Sequence, residues 1–241
     1  MKQFILIAIA VVALFSLESC FSDFECYRGN GKDGTLEVSL DEFSELESNS
    51  SIDIVLVPDS FNGAVITGDD NIIDLVELRI LGKKMIVDYA NVDCVKPSQK
   101  TTVELHFGEE LKAITVDGSG EIVSKAELNG DVLEIFIDGS GDVFLEANYD
   151  DLLVDIDGSG NVEVEGTGNS GYVLIDGSGD VDLFDYDVAT MGVEVDGSGD
   201  TRVSVSEEIS VWINGSGDVL YRGDADLIIQ ERNGSGEVRK L

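Results

Sequence analysis

Gly-Ser-Gly recurs seven times in the second half of this chain, with its serine at Ser119, Ser140, Ser159, Ser178, Ser198, Ser216 and Ser235. Successive serines are 21, 19, 19, 20, 18 and 19 residues apart. Asp or Asn precedes every copy, and Asp, Glu or Asn follows it. So constant a period belongs to repeat architectures, in which a short unit buries its apolar face only by stacking on its neighbours. It also weighs against an enzyme, because repetition builds a surface more readily than one asymmetric acid/base constellation.

Apolar and acidic residues alternate on both sides of the turn, as in Val154-Asp155-Ile156-Asp157-Gly158-Ser159-Gly160-Asn161-Val162. Ahead of it stand Val116, Ile137, Ile156, Ile175, Val195 and Ile213, and Arg232 breaks the column. Behind it stand Ile122, Val143, Val162, Val181, Thr201, Val219 and Val238. Two such columns call for one continuous core. A unit near 19 residues predicts an all-β parallel β-helix (β-solenoid), one turn per repeat, each turn advancing about 4.8 Å. A β-propeller blade needs about 40 residues, and a sandwich does not keep a fixed motif at a constant period. If the segment stays extended, parity points the valines and glycines inward and the Asp, Ser and trailing acid outward. If it turns, the serines point inward as a hydrogen-bonded ladder.

The repeat array occupies residues 111–241. Residues 26–110 read as an irregular β-rich part that caps one end. Ile52, Ile54 and Leu56 alternate with Asp53, Val55 and Val57, and Pro58-Asp59-Ser60 stops that strand. Val65 and Thr67 mark a short strand, a hairpin turns at Leu81-Gly82-Lys83-Lys84-Met85, and Thr102–Phe107 alternates again. The charged C-terminal segment 231–241 protects the other end from strand addition.

Lys and Arg number 15 against 49 Asp and Glu, a net charge of −34. Nucleic acid is excluded as a partner, because phosphate recognition needs the opposite sign. Regular alternation and 43% hydrophobic residues speak for a folded chain rather than an acidic disordered one. Stacked turns would align Asp117, Asp138, Asp157, Asp176 and Asp196 in one column, and Asp142, Asp180, Asp200 and Asp218 in another. Like charges so spaced repel by about 1 kcal/mol per pair in water. Weakly bound calcium would relieve that, and so would hydration and salt alone; no other cofactor is expected. Asp155, Asp157, Ser159 and Asn161 have EF-hand-like spacing, but Gly166 stands where the bidentate glutamate belongs.

The carboxylates are too many for a glycosidase pair to be singled out, and no enzymatic activity is expected. Cys94 and His106, the single histidine, have no cysteine-hydrolase pattern around them. Trp212, Tyr149, Tyr172, Tyr186 and Tyr221 could stack on sugars or pack a core. For Trp212, between Val211 and Ile213, the core is the expectation.

Residues 1–19 read as a lipoprotein signal peptide. Lys2 is followed by an apolar run from Phe4 to Phe15, too short for an ordinary spanning helix. Leu17-Glu18-Ser19-Cys20 resembles a lipobox, which would make Cys20 the lipidated N-terminus; the alternative is a plain signal peptide. Residues 20–25 form an acidic tether whose Phe21-Ser22-Asp23-Phe24-Glu25 resembles the surface-export signal of Bacteroidetes lipoproteins. With Cys20 lipidated, an oxidising envelope permits Cys26 and Cys94 to pair.

Cys26-Tyr27-Arg28-Gly29-Asn30-Gly31, Asp70-Asn71-Ile72-Ile73-Asp74-Leu75-Val76, the Leu81–Val87 hairpin and the Gly-Ser-Gly-Asp-Val repeats together resemble the bacterial auto-transporter adhesin, head GIN domain family. The resemblance covers residues 26–241. It implies a right-handed parallel β-helix in an envelope-anchored protein, and it supplies no catalytic residues. Together these readings predict a non-catalytic, adhesin-like lipoprotein of the outer membrane, facing the medium, with a protein or glycan ligand and the capacity to self-associate. The alternatives are a periplasm-facing accessory module that binds protein and, third, a polysaccharide-active β-helix enzyme.

Overall fold

The computed structural model describes residues 26–90, 92 and 94–241. The leader, Cys20 and the acidic tether lie outside the described residues. Strand makes up 63% of the structure and helix 2%, arranged as a parallel β-solenoid of about 7 turns about 19 residues apart.

The chain begins with β1 (Tyr27–Arg28), β2 (Asp33–Ser39), β3 (Glu45–Ser48), β4 (Asp53–Pro58) and β5 (Gly63–Asp69). A single helical turn, α1 (Asp70–Ile73), leads to the hairpin of β6 (Val76–Leu81) and β7 (Lys84–Tyr89), then to β8 (Val95–Lys96) and β9 (Thr102–Phe107). The regular array follows as β10 (Ala113–Val116), β11 (Ile122–Ser124), β12 (Leu128–Ile137), β13 (Val143–Ile156), β14 (Val162–Thr167) and β15 (Ser170–Ile175). It ends with β16 (Val181–Val195), β17 (Thr201–Gly215), β18 (Val219–Arg222), β19 (Asp226–Gly234) and β20 (Val238–Lys240).

Two walls face each other across the core. The first stacks the strands that run into each corner, Gly-Ser-Gly in all turns but that of β3: β3, β10, β12, the second half of β13, β15, the second halves of β16 and β17, and β19. The second stacks the strands that leave it: β4, β11, the first half of β13, β14, the first halves of β16 and β17, β18 and β20. Both apolar columns read from the sequence lie inside. Every member from Val116 to Ile213 and from Ile122 to Val219 is buried, Val238 is half-buried at the end, and Arg232 is exposed.

Residues 26–110 do more than cap. β3 and β4 form a full turn around the Asn49-Ser50-Ser51 corner, and that turn is sandwiched out of chain order. On one side it pairs with β10 and β11, on the other with β7 and β9. The chain therefore lays its second turn beneath its first, then climbs past it to begin the array. Antiparallel strands end the stack: β6 on β7, and β5 on β9 with β2 outside it. Ile72 and Ile73 of α1 are buried there and plug the end of the core.

The first two motifs behind the family resemblance meet at this end. A disulfide joins Cys26 to Cys94, 68 residues apart. Asn71 donates to the carbonyl of Arg28 (2.8 Å) and accepts from the Asn30 N–H (3.0 Å). The buried Asp69 carboxylate accepts from the Ser98 hydroxyl (2.5 Å), the Ser98 N–H (2.7 Å) and the Gly31 N–H (2.6 Å). Those donors, Ser98 foremost, hold its pKa below the ordinary aspartate value.

Candidate ligand-binding face

The Gly-Ser-Gly corner positions everything that faces solvent. All seven serines are exposed, and the second glycine of each copy is buried. The serines therefore face outward as the extended-parity reading has them, although the segment bends at the corner, and no inward serine ladder forms. Glycine is required by closeness between turns more than by backbone angle. A Cβ on Gly139 would collide with the carbonyl oxygen of Gly118, and one on Gly160 with that of Gly141. Of the corner glycines only Gly234, in the last copy, takes a positive φ (112°). The corners are tied by serine N–H groups donating to glycine carbonyls one turn away, as Ser159 to Gly139 and Ser178 to Gly158, both 3.0 Å.

The two acidic columns behave differently. Asp117, Asp138, Asp157, Asp176 and Asp196 are all exposed along the corner. The trailing column is a hydrogen-bonded ladder. Asp142 accepts from the Asn161 N–H, Asp180 from Asp200, Asp200 from Asp218 and Asp218 from Glu237, each at 2.8 Å. Asn161 occupies one step of the ladder through its carbonyl oxygen, 3.0 Å from the Asp180 nitrogen. Asp53, in the first turn, does the same for Glu121 (3.1 Å). Among the described residues no three His, Cys, Asp or Glu side chains gather into a group that could hold a metal ion. Asp155 lies within β13 and Asp157 in the following corner, so these two do not form a calcium loop.

The aromatic residues divide. Tyr149, Tyr186 and Tyr221 are buried. The Tyr149 hydroxyl donates to the Leu111 carbonyl (2.8 Å) and that of Tyr186 to the Tyr149 carbonyl (2.9 Å). Burial pushes the Tyr186 hydroxyl up to about 12. Trp212 is not a core residue. Val211 and Ile213 are buried, so strand alternation turns Trp212 outward, where it is half-buried. The same alternation in the sequence carried that signal.

On the outer surface of the first wall the register places Phe136, Asp155, Leu174, Glu194 and Trp212 in one column across five successive turns. Tyr172 stands beside Leu174, 36% exposed, and its hydroxyl donates to Glu194 Oε2 (2.9 Å). Its ring lies over Gly192 in the next turn, where a Cβ would strike the ring edge. Burial, reinforced by Glu194, raises the Tyr172 pKa. Asp155 is also raised, first by burial and then by Asp157 and Asp176. At Trp212 the register of β19 slips by one residue, a bulge of the kind that re-aims side chains near binding sites. No lysine, arginine or histidine occurs between Lys125 and Arg202.

Several charges elsewhere are paired. His106 stands 3.2 Å from both Asp59 and Glu104 and stacks on Phe61, while Cys94 is committed to its disulfide, so the two form no nucleophile pair. Arg202 and Arg222 lie over the Phe184 ring and pair with Asp182 and Asp185.

A family model described as "Putative auto-transporter adhesin, head GIN domain" matches residues 42–225. The chain belongs to this adhesin family. Comparison with curated proteins gives no match. The fold is shared with a crystal structure of a putative adhesin from Bacteroides fragilis, at TM-score 0.81 and 20% identity over 89% of this chain and 99% of that one. A putative adhesin from Parabacteroides merdae is similar at TM-score 0.71 and 21% identity, covering 89% and 98%. A protein from Parabacteroides distasonis described as a putative lipid-binding protein is similar at 0.73 and 22%, covering 90% and 100%. Membership of the adhesin family points to the cell surface or envelope. No helix of the described residues is long and apolar enough to cross a membrane.

Proposed function

We propose that this protein is a lipid-anchored adhesin displayed on the outer surface of the outer membrane, and that it works by presenting a rigid acidic face rather than by turnover. The observation that carries this reading is the outer surface of the first wall. Its aromatic or apolar and carboxylate side chains alternate from turn to turn on a continuous backbone ladder, and the exposed aspartate column runs alongside. Such a surface offers many equivalent contacts and no single asymmetric acid/base pair. Family membership supports an adhesive role, and the leader with Cys20 supports a lipid anchor.

The test is protease accessibility on intact cells, with detection of an acylated Cys20 peptide and a periplasmic protein as control. Digestion with the control untouched is the expected result. Protection until the cells are opened would make the chain a periplasm-facing, protein-binding module instead.

A further inference from the structure

We propose that the column Phe136–Asp155–Leu174–Glu194–Trp212, with Tyr172 beside it, is a binding track for an amine-bearing glycan, a chain of sugar rings carrying free amino groups. The inference rests on the adhesive reading above and names the ligand class for that same face.

Three features of the track select this chemistry. The aromatic rings recur at equal steps along the axis: Phe136 to Tyr172 is two turns and Tyr172 to Trp212 is two turns, about 10 Å of rise each, with Tyr172 set two residues, about 7 Å, to one side. Tyr172 is held in place, one ring edge against Gly192 and its hydroxyl fixed on Glu194, and its exposed part offers a fixed aromatic surface for stacking. Carboxylates occupy the intervening turns, Asp155 between Phe136 and Leu174, and Glu194 between Leu174 and Trp212. A sugar ring stacks its C–H face on an aromatic ring, and an ammonium on the next sugar reaches the next carboxylate as a charge-assisted hydrogen bond.

The sign of the surrounding field argues for a cationic glycan. The turns that carry Phe136 to Glu194 contain no basic side chain, and the exposed aspartate column runs along their edge. Anionic polysaccharides are repelled by such a surface, whereas cationic ones are concentrated on it. A stiff polymer of rings with a regular repeat also loses less conformational entropy on a regular track than a flexible basic polypeptide does.

Trp212 is the single tryptophan of the chain, so its emission reports this track alone. The full chain, extracted in a mild detergent, is titrated at about 0.05 M salt with a glucosamine hexamer bearing free amines. A saturable change in Trp212 emission is expected. At least tenfold weaker binding is expected for the fully N-acetylated hexamer, for Tyr172→Ala and for Glu194→Gln, the last with a reduced salt dependence. A sulfated glycan should give no response. The proposal is overturned if the free-amine hexamer leaves the emission unchanged, if both variants bind it as the parent chain does, or if the acetylated hexamer binds equally well. It is also overturned if polylysine of equal charge moves the emission as strongly, which would assign the face to basic polypeptides. Surface accessibility is unaffected by any of these outcomes, so the adhesive display and the ligand class stand or fall separately.

Discussion

Thr201 occupies a position that in most neighbouring turns is a valine, and the difference is one hydroxyl. Its Oγ1 is buried without a hydrogen-bond partner inside the column formed by Val181 and Val219. An unpaired buried hydroxyl costs about 1–3 kcal/mol, so Thr201→Val should raise stability by about 1 kcal/mol, measured as a shifted denaturation midpoint at constant slope. Asp155 presents the opposite kind of misfit, a charge held partly out of water beside Asp157 and Asp176. Its pKa in the folded chain lies above the unfolded value, so the folded state holds this proton more tightly. The stabilisation from protonation is complete below the ordinary aspartate range and is lost as pH rises through the raised folded value. Asp155→Asn should therefore raise the melting temperature at neutral pH, with the gain shrinking as the pH is lowered into the carboxylate range. A gain that stayed constant down to pH 3 would show that charge is not the cause. Trp212 shows how much of a site single residues reveal. Its apolar neighbours invited a core assignment, yet those neighbours, one on each side, are what strand alternation requires around an outward residue.

The trailing acid of the repeat is explained by the element it stabilises. At most corners a backbone N–H just ahead of the leaving strand donates to the carboxylate one turn away. Asn161 does the same with a neutral oxygen, so the ladder needs an acceptor rather than a charge. Asp180→Asn should be close to neutral in stability, while Asp180→Ala should cost about 1 kcal/mol because the Asp200 N–H loses its partner. Equal losses for both variants in chemical denaturation would mean that charge matters after all. Periodicity made the regular turns legible, with their inward columns, because glycine marks every corner where one backbone nearly touches the next; it left open whether the serines face outward or inward. The turn of β3 and β4 left no such mark. Its corner is Asn49-Ser50-Ser51, without a glycine, and the inward position that the array fills with Val116 is filled by Ser48. Nothing local tells such a segment that β7 and β9, later in the chain, will stack beneath it. The exchange of order between these turns is a tertiary fact, fixed by pairings between residues tens of positions apart. The aromatic track was hidden for a related reason: its members are about 20 residues apart in sequence and become neighbours only through the register of the wall.

Across the whole molecule, the net charge of −34 is distributed unevenly, and that sets how stability responds to salt. Basic residues cluster before Lys125 and from Arg202 onward, which leaves the middle of the solenoid acidic throughout. There the exposed aspartates repeat about every 4.8 Å, well inside the screening length of about 10 Å at 0.1 M salt and about 30 Å at 0.01 M. At low ionic strength each carboxylate thus feels several turns of the ladder, and folding holds these charges closer together than the unfolded chain does. Raising sodium chloride from about 0.01 to about 0.15 M should raise the melting temperature, with most of the change at the low end. Hydration and screening require no particular ion, so calcium chloride at matched ionic strength should act like sodium chloride, and a chelator should leave the melting curve unchanged once ionic strength is held constant. Calcium binding by the Asp117 to Asp196 column would give a different pattern. Stabilisation would saturate at low calcium, persist in high sodium chloride and vanish on chelation, and substituting Asp157 and Asp176 together with asparagine would abolish it. With the ladder screened rather than occupied by specific ions, the same double substitution should instead raise the melting temperature at low salt and have little effect at high salt.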